Sequence, residues 1–144
     1  MNIQTWQRLD QEFTQFPIMR ALEIPSEEEI AEAAAAIGCT FHEDYVMFLR
    51  RYGGAMVGSL PVFGLRPAPV TGMPWHVVEV TKWFREQGWP GVNEWYVISD
   101  DGFGNPIGVA PDGRVMISDH DSGLVRLLAK NFEEFLLHHC LRAN

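Results

Sequence analysis

Residues 95–137 alternate short apolar runs with turns made of Asp, Gly, Asn and Pro, and then close on an amphipathic segment. The runs at 97–98, 107–109, 115–117 and 125–128 are too short for helices and rich in β-branched residues, as half-buried strands are. Between two of them, Ala110-Pro111-Asp112-Gly113-Arg114 is a turn with a mechanism: Pro presets φ, and Gly takes the positive φ that a chain reversal needs. The segment predicts an antiparallel meander ending in a helix. Asn131 and Glu134 cap that helix, and Phe132, Phe135, Leu136 and Cys140 form its apolar side.

Upstream the apolar period changes to that of a helix. Ile3, Trp6, Leu9, Phe13 and Phe16 share one face of a helix closed off by Pro17. Ser26 and Glu29 form a capping box for a second helix, with Ile30, Ala33, Ala34 and Ile37 on its apolar side and Gly38 at its end. Thr40 with Glu43 repeats the capping pattern and predicts a third, lined by Tyr45, Phe48, Leu49 and Tyr52 and stopped by Gly53-Gly54. Residues 60–65 and 77–80 predict strands, with 81–87 either extending the second or making a helical turn. The Pro- and Gly-rich stretch 66–75 between them reads as irregular loop. No repeat or interdomain linker stands out, so residues 1–144 are expected to form a single domain, with 1–23 an additional N-terminal helix. The expected fold class is α+β: N-terminal helices, an antiparallel sheet of about five or six strands, and a C-terminal helix packed on it.

Nineteen acidic residues against eleven basic ones give a net charge of −8. Phosphate contacts need clustered Lys and Arg, so direct nucleic-acid binding is disfavoured. The same charge suits a basic protein partner, whose encounter it would speed, or it serves solubility alone. Two cysteines are too few for a disulfide framework. No signal-peptide pattern opens the chain and no apolar run approaches membrane-spanning length, which together predict a cytoplasmic protein.

Residues that carry chemistry are sparse. His120 between Asp119 and Asp121 has the makings of a metal or acid–base site, but a metal needs three or four converging ligands and no others are spaced to join it. The trio reads better as a turn whose side chains satisfy local backbone donors. His138-His139-Cys140 is metal-like only by composition: neighbouring helical residues point about 100° apart, so a frayed C-terminal turn is the expectation. Residues 100–105 lack the alternating ligands of a calcium loop and the Lys and helix of a phosphate loop, and predict a hairpin turn. No Ser sits in a nucleophile elbow, and neither Cys39 nor Cys140 is expected to have a nearby basic neighbour to lower its pKa. No catalytic, cofactor or metal residue is therefore assigned.

Binding features are easier to name. Trp75, Trp83, Trp89 and Trp95 fall in one irregular region, where they either anchor a partner or cap the sheet. Trp75 and Trp89, flanked by Pro, are predicted to be the exposed ones. Asp100, Asp101, Asp112, Asp119 and Asp121 come from successive meander turns. They either pair with a cationic cleft on a partner or reflect the preference of turns for Asp. Successive turns fall at alternate ends of a sheet, so two patches are expected rather than one.

Phe41-His42-Glu43-Asp44-Tyr45, then Phe48-Leu49, Tyr52 and Gly53-Gly54, resembles the "LP-x-DY-x-x-FL-x-x-Y/N-GG" signature of the SUKH superfamily, which includes fungal Smi/Knr proteins and many bacterial immunity proteins. Val62-Phe63-Gly64-Leu65 is similar to the strand that follows it. Ile98-Ser99-Asp100-Asp101-Gly102-Phe103-Gly104-Asn105 resembles the family's GN turn, and Ser118-Asp119-His120-Asp121 followed by Phe132-Glu133-Glu134-Phe135-Leu136 resembles its close. The blocks run in order over residues 24–137. One departure is His42, where the family usually has Pro; its loss predicts a looser helix start. The resemblance implies a non-enzymatic binding module. In bacteria that is an immunity protein neutralising a cognate toxin domain, often a nuclease, in the cytoplasm; the alternative, after the fungal members, is a regulatory or scaffold adaptor with an endogenous partner.

Overall fold

The structure, a computed structural model, describes residues 1–71 and 76–141. Asn2 opens helix α1 (Ile3–Gln15) by accepting the Gln4 N–H at 2.9 Å, and Trp6, Leu9 and Phe13 turn one face into the core. Helix α2 (Glu27–Ala36) carries the predicted capping box with both reciprocal bonds, Glu29 N–H to Ser26 Oγ at 3.1 Å and Ser26 N–H to Glu29 Oε1 at 3.0 Å. Two orphan donors at the helix start are thereby satisfied.

Helix α3 (Glu43–Tyr52) departs from expectation at its start. The capping residue is His42, not Thr40, and no side chain accepts from the first-turn N–H groups. The His42 ring reaches away from the helix instead. Its Nε2–H donates to the Pro111 carbonyl at 3.0 Å, while its Nδ1 accepts from the Tyr96 hydroxyl at 2.7 Å. The hydroxyl in turn accepts the His42 backbone N–H at 3.0 Å. So the residue predicted to loosen the helix start ties it to the sheet. Gly53 ends the helix at φ 77°, in the left-handed region that costs glycine nothing. A Cβ on Gly64 would lie 2.1 Å from the Gly53 carbonyl oxygen, so this crossing of two chain segments admits no side chain.

Strands β1 (Ala55–Val57) and β2 (Leu60–Val62) form an antiparallel hairpin. Beyond it, Phe63 N–H donates to the Ile98 carbonyl at 2.7 Å, hooking the hairpin to the main sheet. The strand predicted at 77–80 is instead the first turn of helix α4 (Val77–Glu86). Three valines suggested β structure, but Val77, Thr81 and Phe84 recur at helical spacing and all are buried. Burial on that period outweighs β propensity, and His76 Nδ1 caps the helix by accepting the Val78 N–H at 3.2 Å.

The meander forms as predicted. Strands β3 (Tyr96–Asp100), β4 (Pro106–Val109), β5 (Val115–Asp119) and β6 (Leu124–Ala129) pair antiparallel in sequence order. Helix α5 (Phe132–Phe135), capped by Asn131 Oδ1 on the Glu134 N–H at 2.8 Å, runs on into a wider π-type turn, Leu136–Leu141. That turn is not frayed. Cys140 is buried, its carbonyl accepts the Ser59 N–H at 3.2 Å, and a Cβ on Gly58 would lie 2.0 Å from the same oxygen. His139 stacks on Phe135 and donates from Nε2 to the Leu128 carbonyl at 3.0 Å.

Between α3, α5 and the sheet lies an aromatic core. Tyr45 meets Phe41, Tyr96 and Phe132 with ring centroids 5.2, 5.2 and 5.7 Å away. Its hydroxyl donates to the Phe63 carbonyl at 2.6 Å, and full burial pushes its pKa well up. On the far side of β3, Arg85 gathers three carbonyls: Ile37 at 2.7 Å, Trp95 at 2.8 Å and Val92 at 3.1 Å. Among the described residues no helix is long and apolar enough to cross a membrane.

Candidate functional site

Of the five aspartates named from the sequence, four gather at one end of the sheet and one sits at the other. Asp100 and Asp101 lie at the β3–β4 turn, and Asp119 and Asp121 at the β5–β6 turn. Asn105 joins the two turns: its Oδ1 accepts both the His120 backbone N–H and the ring Nδ1–H, each at 3.1 Å. Asp112 belongs to the β4–β5 turn at the opposite end, where Arg114 Nε lies 2.7 Å from its carboxylate and offsets its charge. Two unequal patches result, as strand alternation requires.

The four clustered carboxylates do different things. Asp101 builds the turn: its Oδ1 accepts the Phe103 and Asn105 N–H groups at 2.8 and 3.1 Å, and its Oδ2 accepts Asn105 Nδ2 at 2.8 Å. Burial alone would raise its pKa, but those hydrogen bonds outweigh it and hold the carboxyl below its ordinary value. Asp100 and Asp119 each accept one local N–H, from Gly102 at 2.8 Å and Asp121 at 3.0 Å. Asp121 is the most exposed, and among the described residues His120 Nε2, 3.2 Å away, is the one basic partner near its carboxylate. Among the described residues no Lys or Arg forms an ion pair with any of these four. Turn chemistry explains where the aspartates are; it leaves their charge uncompensated.

The tryptophans sort differently from expectation. Trp75 lies outside the described residues. Trp89 is half-buried, its ring edge-on to Phe84 at 5.5 Å and to His120 at 5.6 Å, which brings it to the acidic end. Among the described tryptophans Trp83 is the most exposed, at 53%, and Trp95 is buried over Gly108, where a Cβ would come within 2.8 Å of the indole.

Two features to which the sequence assigned no binding role stand out at and beside this end. Phe103, at the tip of the β3–β4 turn, is 84% exposed. An aromatic between two glycines at a turn tip is a usable signal, because neither neighbour can cover it. The other is strand β6, the edge of the sheet, where Leu124, Val125 and Leu127 are exposed. A groove of about 310 Å³ crosses the face of the sheet to reach it, from Asp101 over Ile107 and Ile117 to Leu128 and His139.

Elsewhere the chemistry is structural. Arg85 Nη2 lies 3.4 Å from Cys39 Sγ, so that thiol does have a basic neighbour, brought from a distant segment. Burial pushes the Cys140 thiol pKa up, which makes it a poor nucleophile. Among the described residues no three His, Cys, Asp or Glu side chains converge so that they could hold a metal ion.

No curated protein matches this chain. The SMI1 / KNR4 family (SUKH-1) matches residues 24–138, which takes in α2 through α5 and the start of the π-type turn, and therefore both turns of the acidic end. A match over most of the sequence, on a fold that carries its expected helices and antiparallel meander, settles the kinship: the chain belongs to the SMI1 / KNR4 family (SUKH-1).

Proposed function

We propose that this protein is a non-enzymatic immunity protein that binds a cognate toxin domain in the cytoplasm and blocks it stoichiometrically. What carries the reading is the acidic end of the sheet. Asp100, Asp101, Asp119 and Asp121 present charge that no described Lys or Arg offsets, beside the exposed Phe103 and the half-buried Trp89. An aromatic anchor within an uncompensated acidic rim suits a basic cleft, such as a nuclease toxin uses to hold nucleic acid. The family supports a protein partner; the partner's identity and its chemistry are part of the proposal.

The test is to tag the protein, recover it from native lysate across a salt series and identify what elutes with it. One-to-one capture of the C-terminal domain of a large exported protein, weakening as salt rises, is the expected result. Capture of an endogenous regulatory protein, with growth defects on deletion even when no toxin is present, would replace this reading by the adaptor one. With the toxin in hand, Asp121→Lys together with Asp100→Lys slows association about tenfold at low salt and flattens its salt dependence. Asp121 suits this test better than Asp101, because its carboxylate supports no part of the turn.

A further inference from the structure

Strand β6 ends the sheet. Five of its six residues pair with β5 on one side, Leu128 being left out of the ladder, and among the described residues no strand lies on the other. A free edge of this kind is a template for another chain, and proteins normally blunt it with Pro, Lys, a short strand or a cover. Here only Arg126 interrupts the apolar run. A bulge opposite Val115 and Met116 leaves Leu128 out of the ladder, and its carbonyl accepts from His139. The pairing register puts Val125 and Leu127 on one face with Ser118 and Met116, continuous with the loop over Trp95; a Cβ on Gly91 in that loop would lie 3.1 Å from Val125. The strand is also electrically polar along its length. It starts beside Asp119 and Asp121, carries Arg126 in its first half, and runs out at Lys130.

We infer that β6 is the docking edge, and that its occupant is an extended segment of the partner protein added antiparallel as a fifth strand. That segment is apolar in its middle and carries Lys or Arg at the end lying against Asp119 and Asp121. The inference rests on the immunity reading for the partner's identity, but not for the edge itself. Backbone N–H and C=O groups of β6 supply register-tolerant affinity, as in other strand-addition complexes, and Val125 and Leu127 take the alternate side chains of the incoming strand. The acidic turns select its cationic end. A second copy of this chain is the poorer occupant, because it brings a second net charge of −8 to the same surface.

The experiment uses the whole protein, labelled with nitrogen-15, and the peptide Val-Thr-Val-Thr-Val-Lys-Lys-amide. Controls are its Glu-Glu counterpart and a form methylated on alternate backbone nitrogens. The Lys-Lys peptide is expected to shift the amides of residues 124–128 and slow their hydrogen exchange about tenfold, the Glu-Glu peptide to bind about tenfold more weakly, and the methylated form to leave β6 unchanged. No change at β6, changes confined to another surface, or equal binding of both charged peptides overturns the inference. So does protection of β6 that rises with protein concentration without peptide, which would assign the edge to a second copy. A cellular arm separates this inference from the immunity reading. Leu127→Lys and Val125→Lys, each confirmed folded by its amide spectrum, are tested for protection against the captured toxin. If wild type protects and both variants protect equally, the edge inference falls and immunity stands. If wild type itself fails to protect, the immunity reading falls and the peptide result alone decides the edge.

Discussion

The two outer strands of the four-stranded sheet, β3 and β6, are finished in opposite ways. Tyr96, Val97, Ile98 and Ser99 of β3 are all buried, and the strand's outer side is closed by neighbours. Ile98 is the extra residue of a bulge, left out of the ladder with β4, and its carbonyl takes the Phe63 N–H. The Val97 N–H goes to Thr81 Oγ1 at 2.8 Å. In β6 the first four residues are exposed and only Ala129 is buried. The same hairpin chemistry produced both, yet one edge is sealed into the core by α4 and the β1–β2 hairpin while the other is left to water. Stability is concentrated on the β3 side, and the first four residues of β6 are free to serve binding because their side chains stand outside the core.

That division is broken or sharpened by substitution on each side. Ile98→Ala empties a fully buried site and should cost about 3–4 kcal/mol in urea unfolding. Arg85→Met, which keeps much of the stem but orphans three carbonyls, should cost about 3 kcal/mol; a cost below about 1 would mean that water replaces the guanidinium. Thr81→Val preserves shape and leaves the Val97 N–H unpaired, for about 2 kcal/mol. On the other side, Leu127→Ala should change stability by less than about 0.5 kcal/mol. If it costs as much as Ile98→Ala, the two edges are not different in kind.

Acid sharpens the comparison at the sheet's end. Asp101 has a folded pKa below its unfolded one, so its contribution is full at pH above the ordinary carboxylate range. It is lost as pH falls through the lowered folded value. Asp101→Asn puts an amide against the Asn105 amide and should lower stability at neutral pH while flattening the fall in acid. A parallel fall in the variant would assign acid sensitivity to other carboxylates.

Local signals were legible and distant ones were not. Ser26 and Glu29 form a capping box within four residues, and the turn at Pro111–Gly113 closes on bonds among residues 110–114, so both could be read directly from the sequence. Helix α4 could not, because the partners that fix it lie on other elements: Val77 docks under Gly64 through its N–H, and Thr81 is claimed by β3. His42 shows the same limit, as its role depends on Pro111 and Tyr96, far along the chain. At the candidate site the aspartates and their division between two ends followed from strand alternation. Which tryptophan is exposed, and which strand is the edge, are properties of topology that no window of sequence contains.

The turn that buries Cys140 has a kinetic consequence. Its carbonyl and the Ser59 N–H bind the β1–β2 hairpin to the C-terminal turn, so reaching the thiol requires those two segments to part. Cys39 is half-exposed and needs no such opening. A thiol reagent therefore meets two reporters in one molecule: a prompt one that counts folded protein, and a delayed one whose rate times the breathing of the C-terminal clasp.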